Sequence, residues 1–174
     1  PTNTWGLNGI NAANANRWNP GYVRIFEYNN NLEKWQQLGN TILTTPDILQ
    51  QAKSTGQCVS LNDFGNIVAI IASQEYYNIW NQYNVTTYVY ELVDGSWNQK
   101  GQALRELDYH TEENSDPICI INGTGDQLVR NYYNSNTGII GTQVYRYYNN
   151  TWNIQNKLVP FYNIAPTVAS WGYN

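Results

Sequence analysis

Residues 23–39 read VRIFEYNNNLEKWQQLG, and this phrase occurs twice more along the chain. Residues 88–101 read YVYELVDGSWNQKG, and residues 144–155 read VYRYYNNTWNIQ. In each copy, a run of β-branched and aromatic residues leads through a polar turn to a tryptophan. Trp35, Trp97 and Trp152 are 62 and 55 residues apart (97 − 35 and 152 − 97), so a unit of about 58 residues fills the 174-residue chain three times. Repeats of this size predict stacked supersecondary units, each unable to bury its apolar face alone.

Four strands are predicted in each unit, because short runs rich in Val, Ile and Tyr alternate with Asn, Gly and Asp turns. In the middle unit these strands are Cys58–Asn62, Ile67–Ile71, Thr87–Leu92 and a fourth around Trp97. A four-stranded antiparallel meander repeated in tandem is the pattern of a β-propeller blade. We therefore predict an all-β fold in which residues 1–174 form one domain of three blades: residues 58–105, residues 118–157, and residues 167–174 completed by residues 4–42.

The two ends of the chain are out of phase with the repeat. Thr4–Asn8 stands where a second strand is expected, and Thr167–Trp171 stands where a first strand is expected. We expect these segments to pair and to complete one blade. Because propellers usually have four to eight blades, three arrangements are open: a six-bladed ring made by two chains, part of a longer propeller, or a compact three-unit arrangement.

One helix is expected, over Thr45–Lys53. It has a capping Thr and a Pro at the first helical position, and Gly56 follows it. We expect this short helix to decorate the connection between two strands.

The surface is predicted to be polar without being strongly charged. Only 13% of the residues are charged, against about 25% in an average globular domain, and there are 27 asparagines. The formal net charge of −4 and the lack of a Lys/Arg cluster argue against a nucleic-acid partner, which needs a basic stripe. No apolar run approaches the roughly 18 residues of a membrane span. The chain has no Met, so we expect a processed or excised segment.

At these repeats the chain resembles a family common in secreted and surface proteins of marine bacteria, algae and large algal viruses. The family's unit reads approximately S-V-S-L-S-x-D-G-x-x-V-A-I-G-A, then G-x-V-R-V-Y-E, then W-x-Q-L-G. The matching segments here are Val59–Asn62, Val68–Ile70, Gly21–Glu27 and Trp35–Gly39. The repeats are also similar to the FG-GAP blades of integrin α-chains. The resemblance implies an extracellular or surface-exposed binding or display role with no fixed chemistry.

Neither a metal nor another cofactor is expected. The calcium loop of integrin-type blades needs Asp or Asn at alternate positions around Asp-Gly, whereas residues 62–66 and 122–126 have too few carboxylates for an oxygen cage. Cys58 and Cys119 lack the spacing of a zinc or redox site. They are one position out of step in the repeat, so they should point to opposite faces of equivalent strands. We therefore expect two buried free thiols rather than a disulfide.

Aromatic residues are the leading candidates for a binding surface, since the chain has 7 Trp and 15 Tyr. Those that recur with the repeat are expected to pack between units: Tyr88, Tyr90, Tyr145, Tyr147, Trp35, Trp97 and Trp152. Others stand in the loops expected between second and third strands, and we predict that they bind ligand: Trp18, Tyr76, Tyr77, Trp80, Tyr83, Tyr132 and Tyr133. Rings beside Asn and Gln amides suit stacking on sugars. Contacts between chains, or packing onto the same unit, are the alternatives.

A non-enzymatic role is predicted. His110, the only histidine, is expected to be a solvated loop residue rather than a general base. We predict a secreted binding or adhesion module with a glycan or surface protein as partner, and homo-oligomers or neighbouring repeats as further partners. Sequons at Asn84, Asn122 and Asn149 are candidate glycosylation sites. The first alternative is a structural subunit of an appendage, shell or virion. The second is a propeller glycosidase, whose two carboxylates would meet only in the fold.

Overall fold

The computed structural model describes residues 21–44, 53–76, 82–109, 118–134 and 139–158. These residues form β-strands and no helix, so this part of the chain contains no helix that could cross a membrane. The strands are β1 (Val23–Asn29), β2 (Lys34–Ile42), β3 (Lys53–Leu61), β4 (Ile67–Tyr76), β5 (Gln82–Val93), β6 (Ser96–Gln99), β7 (Leu104–Tyr109), β8 (Cys119–Ile121), β9 (Gln127–Asn134), β10 (Ile139–Tyr148) and β11 (Thr151–Leu158).

The strands pair into three antiparallel sheets. The first sheet is the hairpin β1–β2, and the third has the order β11-β10-β9-β8. The second has the order β3-β4-β5-β6, with β7 also pairing with β5. In the second and third sheets the strands follow one another as a meander, which confirms the predicted all-β antiparallel fold. The described residues do not form a closed ring of sheets.

β4 lies at the centre of the core because both of its faces are buried. Its odd-numbered residues from Ile67 to Ile71 pack with Leu128 of the third sheet. Its even-numbered residues from Val68 to Ala72 pack with Ile25 of the first sheet. The second sheet therefore lies between the other two. This position explains the unbroken apolar run of β4, since a strand with one solvated face would alternate apolar and polar residues.

The same turn joins β3 to β4 and β8 to β9, as the repeat predicts. Oδ1 of Asn62 accepts the backbone N–H groups four and five residues later, at 3.0 and 2.8 Å. Oδ1 of Asn122 accepts the two equivalent N–H groups at the same two distances. Gly65 and Gly125 have φ angles of 70° and 77°, which glycine adopts without strain. Where the chain reverses, the asparagine side chain therefore accepts hydrogen bonds from two backbone N–H groups of the turn.

Several elements differ from the sequence prediction. β4 runs on to Tyr76 and β5 starts at Gln82, so most of the expected loop is a paired hairpin. The run of Val and Thr residues in β5 favours this extended pairing. β7 is an additional strand that the sequence analysis did not predict. Lys53 begins β3 instead of ending a helix. Residues 45–52 and the two terminal segments expected to pair lie outside the described residues.

Candidate binding surfaces

Trp97 joins the second sheet to the first. Its Nε1–H donates to the carbonyl oxygen of Leu38 at 2.8 Å, and its backbone N–H donates to Oδ1 of Asn40 at 2.7 Å. The buried ring lies over Gly39, where an added Cβ would come within 2.7 Å of the indole Cδ1. The indole therefore occupies space that a larger residue at position 39 would fill.

Trp152 makes the same contact between the third sheet and the second. Its Nε1–H donates to the carbonyl oxygen of Lys100 at 2.8 Å, and its backbone N–H donates to Oε1 of Gln102 at 2.9 Å. A Cβ on Gly101 would lie 2.8 Å from the indole Cδ1. We call this arrangement the tryptophan lock: an indole that donates to a backbone carbonyl of the preceding sheet and covers the glycine that follows that carbonyl.

In each tryptophan lock, the indole packs against an irregular part at the end of the preceding sheet. The register of β2 against β1 shifts between Leu38 and Ile42, and Gly39 within this bulge has a φ of 71°. In the second sheet, β6 and β7 both pair with β5. Gly101 lies in the break between β6 and β7 and has a φ of 75°. Such a bulge interrupts the ladder and frees a carbonyl to face the next sheet.

Trp35 differs from the other two repeated tryptophans. It was predicted to lie in the core, but 46% of its surface is exposed, whereas Trp97 and Trp152 are buried. This prediction is wrong because a tryptophan lock needs a preceding sheet, and among the described residues the first sheet has a neighbour only on its other face. Tyr28, also exposed, packs edge-on against Trp35 with ring centroids 5.3 Å apart. We call Tyr28 and Trp35 the aromatic edge.

Among its described residues the third sheet, at the other end of the stack, lacks the glycine-containing bulge against which the indole of a tryptophan lock packs. Counted from the tryptophan, Asn156 takes the place of Gly39 and Gly101. The register shift in β11 skips only Gln155, so its bulge is smaller than those of the other two sheets. The described residues of this sheet therefore do not repeat the glycine-containing bulge.

The outward face of the third sheet carries an apolar row instead. Ile120 pairs with Val129, and Val129 pairs with Val144, so the three side chains line one face across three strands. Ile120 is 55% exposed, and both valines are partly exposed. We call these three residues the apolar row.

Four of the seven aromatic residues predicted to bind ligand lie near the ends of two hairpins. The backbones of Tyr76 and Tyr83 are paired in β4–β5, and those of Tyr132 and Tyr133 are paired in β9, rather than in loops as predicted. The two hairpins are equivalent in the repeat, and both run away from the asparagine turns. These four side chains lie outside the described part of the structure, as do the whole of Trp18, Tyr77 and Trp80.

The three sequons lie in different environments. Asn149 is exposed in the β10–β11 turn, with a φ of 50°. The Asn122 side chain donates from Nδ2 to Oγ1 of Thr124 and to Oδ1 of Asp126, each at 2.8 Å. A glycan attached to this nitrogen would have to replace one of these bonds. The backbone of Asn84 lies in β5, and its side chain is outside the described part. Glycosylation at all three positions stays a prediction.

Cys58 and Cys119 are free thiols, as predicted, but only Cys119 is buried, whereas Cys58 is half-buried. They meet between the second and third sheets, because the opposite faces of two neighbouring sheets are the faces in contact. The backbone N–H of Cys119 donates to Sγ of Cys58 at 3.1 Å. A hydrogen bond with the Cys119 side chain is the main cause that lowers the pKa of Cys58 to about 7. The same bond, with burial, raises the pKa of Cys119. The offset of the two residues in the repeat was the sequence signal for this pair.

The described surfaces provide ring stacking and amide hydrogen bonds. Asn29 and Gln36 stand beside the aromatic edge, where Nδ2 of Asn29 donates to Oε1 of Gln36 at 2.9 Å. Within the described ranges, no three His, Cys, Asp or Glu side chains lie close enough to hold a metal ion. His110 is outside those ranges.

No protein-family model, curated protein or solved structure matches the chain.

Proposed function

We propose that this protein is a non-enzymatic, extracellular or surface-displayed binding module built of β-propeller repeats, with glycans as its ligand class. The observation that supports the proposal is the placement of four tyrosine positions near the ends of two equivalent hairpins. Tyr76 and Tyr83 belong to the second sheet, and Tyr132 and Tyr133 belong to the third. Because the two sheets pack face to face, these hairpin ends lie on the same side of the stack.

The composition of the chain suits this ligand class. Aromatic rings stack on the apolar faces of sugars, and Asn and Gln amides match their hydroxyl groups as donors and acceptors. With 13% charged residues, the chain offers little to attract a strongly charged ligand. The proposed ligand is therefore a neutral or weakly charged oligosaccharide.

The tryptophan locks support the propeller part of the proposal. The first and second sheets dock as the second and third do, through the same indole atoms and the same glycine position. Identical contacts between successive sheets generate a regular array, and a constant rotation between sheets would bend that array toward a ring of blades.

Binding of the full chain to an oligosaccharide array tests the proposed function. We expect Tyr77→Ala combined with Trp80→Ala to weaken the best array ligand at least about tenfold, a loss of about 1.4 kcal/mol. The thermal midpoint should stay nearly unchanged, because the proposal assigns these two rings to ligand binding and not to the core. Tyr148→Ala is the matched control, since it removes an exposed ring from the β10–β11 turn. A large drop in the midpoint with unaltered binding would show that the hairpin rings are core residues.

A second candidate function is that of a structural subunit in a surface assembly. The exposed aromatic edge favours it, because large apolar rings on a protein surface often mark a contact between proteins. Under this alternative, neither the unchanged chain nor the hairpin variant would bind glycans. Substitutions at the aromatic edge would prevent assembly.

A further inference from the structure

We propose that two copies of this chain bind head to tail, with the aromatic edge of one copy packed against the apolar row of the other. The proposal goes beyond glycan binding, since it uses the two outer faces of the stack and none of the hairpin-end residues.

The stack has a direction. In both tryptophan locks, the indole belongs to the later sheet, and the carbonyl that accepts its N–H belongs to the earlier one. Tyr28 and Trp35 are paired across β1 and β2, and they lie on the face of the first sheet opposite Ile25, which packs against the second sheet. The aromatic edge is therefore the face with which a sheet docks onto its predecessor, and in this chain it is exposed.

The apolar row is the other half of such a contact. Its equivalents in the second sheet are Ser60, Ala69 and Val89, which are paired in the same way and face the third sheet. Ala69 and Val89 are fully buried by that sheet. The row in the third sheet is bulkier, because Ile120 replaces a serine, and yet it is exposed. An outward row with more apolar surface than its buried counterpart indicates that another surface covers it.

Copies of the chain bound head to tail cover both faces through one type of contact. A fourth sheet stacked on the third in the same direction would place its tryptophan face against the apolar row. The aromatic edge of a second copy is a face of this kind. Trp35 would lie near Val144, the equivalent of Ile25, which shares a core cluster with Trp97. Because Asn156 replaces the receiving glycine, this contact consists of apolar packing without the carbonyl bond of a tryptophan lock. We therefore expect reversible association rather than a permanent dimer.

Sedimentation equilibrium of the full chain over a range of concentrations tests the proposal. We expect the average mass to rise with concentration from 20.0 kDa through twice that value, because an open head-to-tail contact leaves one face free for a further copy. Trp35→Ala removes the central ring of one face, and Val144→Lys places a charge in the other. Each should weaken association at least about tenfold, as expected for central interface residues. Ile120→Ser, which installs the residue of the second sheet, provides a milder variant should Val144→Lys fail to fold.

Phe64→Ala is the matched control, because Phe64 is exposed in the β3–β4 turn of the middle sheet, away from both outer faces. This variant should associate as the unchanged chain does. A chain that stays monomeric at every concentration would overturn the proposal.

Mixing the variants distinguishes a head-to-tail contact from a like-with-like one. In a mixture of Trp35→Ala and Val144→Lys, the unchanged aromatic edge of one protein can meet the unchanged apolar row of the other. Association should therefore be stronger in the mixture than in either variant alone. A symmetric contact between two aromatic edges would not be restored by mixing. Absence of restoration would overturn the head-to-tail arrangement, whatever the glycan-binding experiments show.

Discussion

Nε1–H of Trp152 donates to the carbonyl oxygen of Lys100 at 2.8 Å, across the boundary between two sheets. The bond pairs two polar groups that the packing of the sheets would otherwise bury without partners. It also fixes the position of one sheet on the next, because the indole reaches only one carbonyl. A bond of this kind adds specificity to the packing of aliphatic side chains, which has no preferred direction, and the bonds from the backbone N–H of Trp152 to Gln102 and from that of Ile121 to Ser60 act across the same boundary.

Removing the indole N–H at a tryptophan lock should destabilise the fold. Trp152→Phe keeps a ring but leaves the carbonyl of Lys100 without its donor, so we expect the free energy of unfolding to fall by about 1–3 kcal/mol. Trp97→Phe should behave in the same way. Trp35→Phe is the control, since Trp35 is exposed and makes no tryptophan lock with the described residues, and it should change little. Urea unfolding of the monomer measures all three, and equal losses would contradict the role of the lock.

Gly101 should tolerate a side chain far less well than Gly95. Both have positive φ angles, 75° and 74°, so alanine carries a similar backbone cost at either site. A Cβ at Gly101 would lie 2.8 Å from Cδ1 of Trp152, whereas nothing lies within 4 Å of one at Gly95. We therefore expect Gly101→Ala to cost about 1–3 kcal/mol more than Gly95→Ala. Thermal unfolding of the two variants gives the difference directly, and similar losses would show that the sheets can separate without cost.

The strands and turns could be predicted from the sequence because their signals are local. Asn62 and Asn122 stand at the same place in the repeat and build the same turn. The lengths of the hairpins were harder to predict, since the polar residues before Tyr76 look like a loop, although pairing with the Val- and Thr-rich β5 extends them as strand.

The exposure of Trp35 could not be read from its own segment of sequence. All three repeated tryptophans follow similar strands, but burial of an indole depends on whether another sheet packs against it. Gly39 and Gly101 each stand four residues after a tryptophan and contact the indoles of Trp97 and Trp152, so they are a sequence signal for the burial of those two rings. The candidate ligand site was predicted from composition alone, and its hairpin-end side chains lie outside the described residues.

Asn122→Asp should make stability depend on pH. Nδ2 of Asn122 lies 2.8 Å from Oδ1 of Asp126, and hydrogen bonds from Thr124 and Asn122 lower the pKa of Asp126. The native carboxylate therefore contributes stability above its unfolded pKa, which is lost as the pH falls through the lower folded value. In the variant, the new carboxylate stands beside that of Asp126, and their repulsion raises the pKa of one of the two. The repulsion therefore grows as the pH rises through that raised pKa.

We therefore expect Asn122→Asp to be clearly less stable than the unchanged chain at pH 7 and to approach it near about pH 4. Asn122→Asp combined with Asp126→Asn is the matched control, because it leaves a single carboxylate facing an amide at this contact. Its loss should change less with pH. Thermal midpoints of both variants between these pH values give the comparison, and parallel pH profiles would contradict the assigned repulsion.

Cys58 should react with alkylating reagents at a lower pH than an ordinary thiol. The thiolate is the reactive form, and contact with Cys119 lowers the pKa of Cys58 from 9.0 to about 7. The rate of iodoacetamide labelling should therefore rise with a midpoint near pH 7. Cys119 is buried and its pKa is raised, so it should label only after unfolding. Peptide mass mapping assigns the label to each cysteine.

Cys119→Ala separates this contact from other influences on Cys58. The side-chain hydrogen bond is the largest cause of the lowered pKa, and the variant removes it while keeping the backbone N–H that also donates to Sγ. The labelling midpoint of Cys58 should then move up toward 9.0, with Cys58→Ala reporting the background rate. If the midpoint stays near pH 7 in Cys119→Ala, the backbone N–H and not the neighbouring thiol stabilises the thiolate.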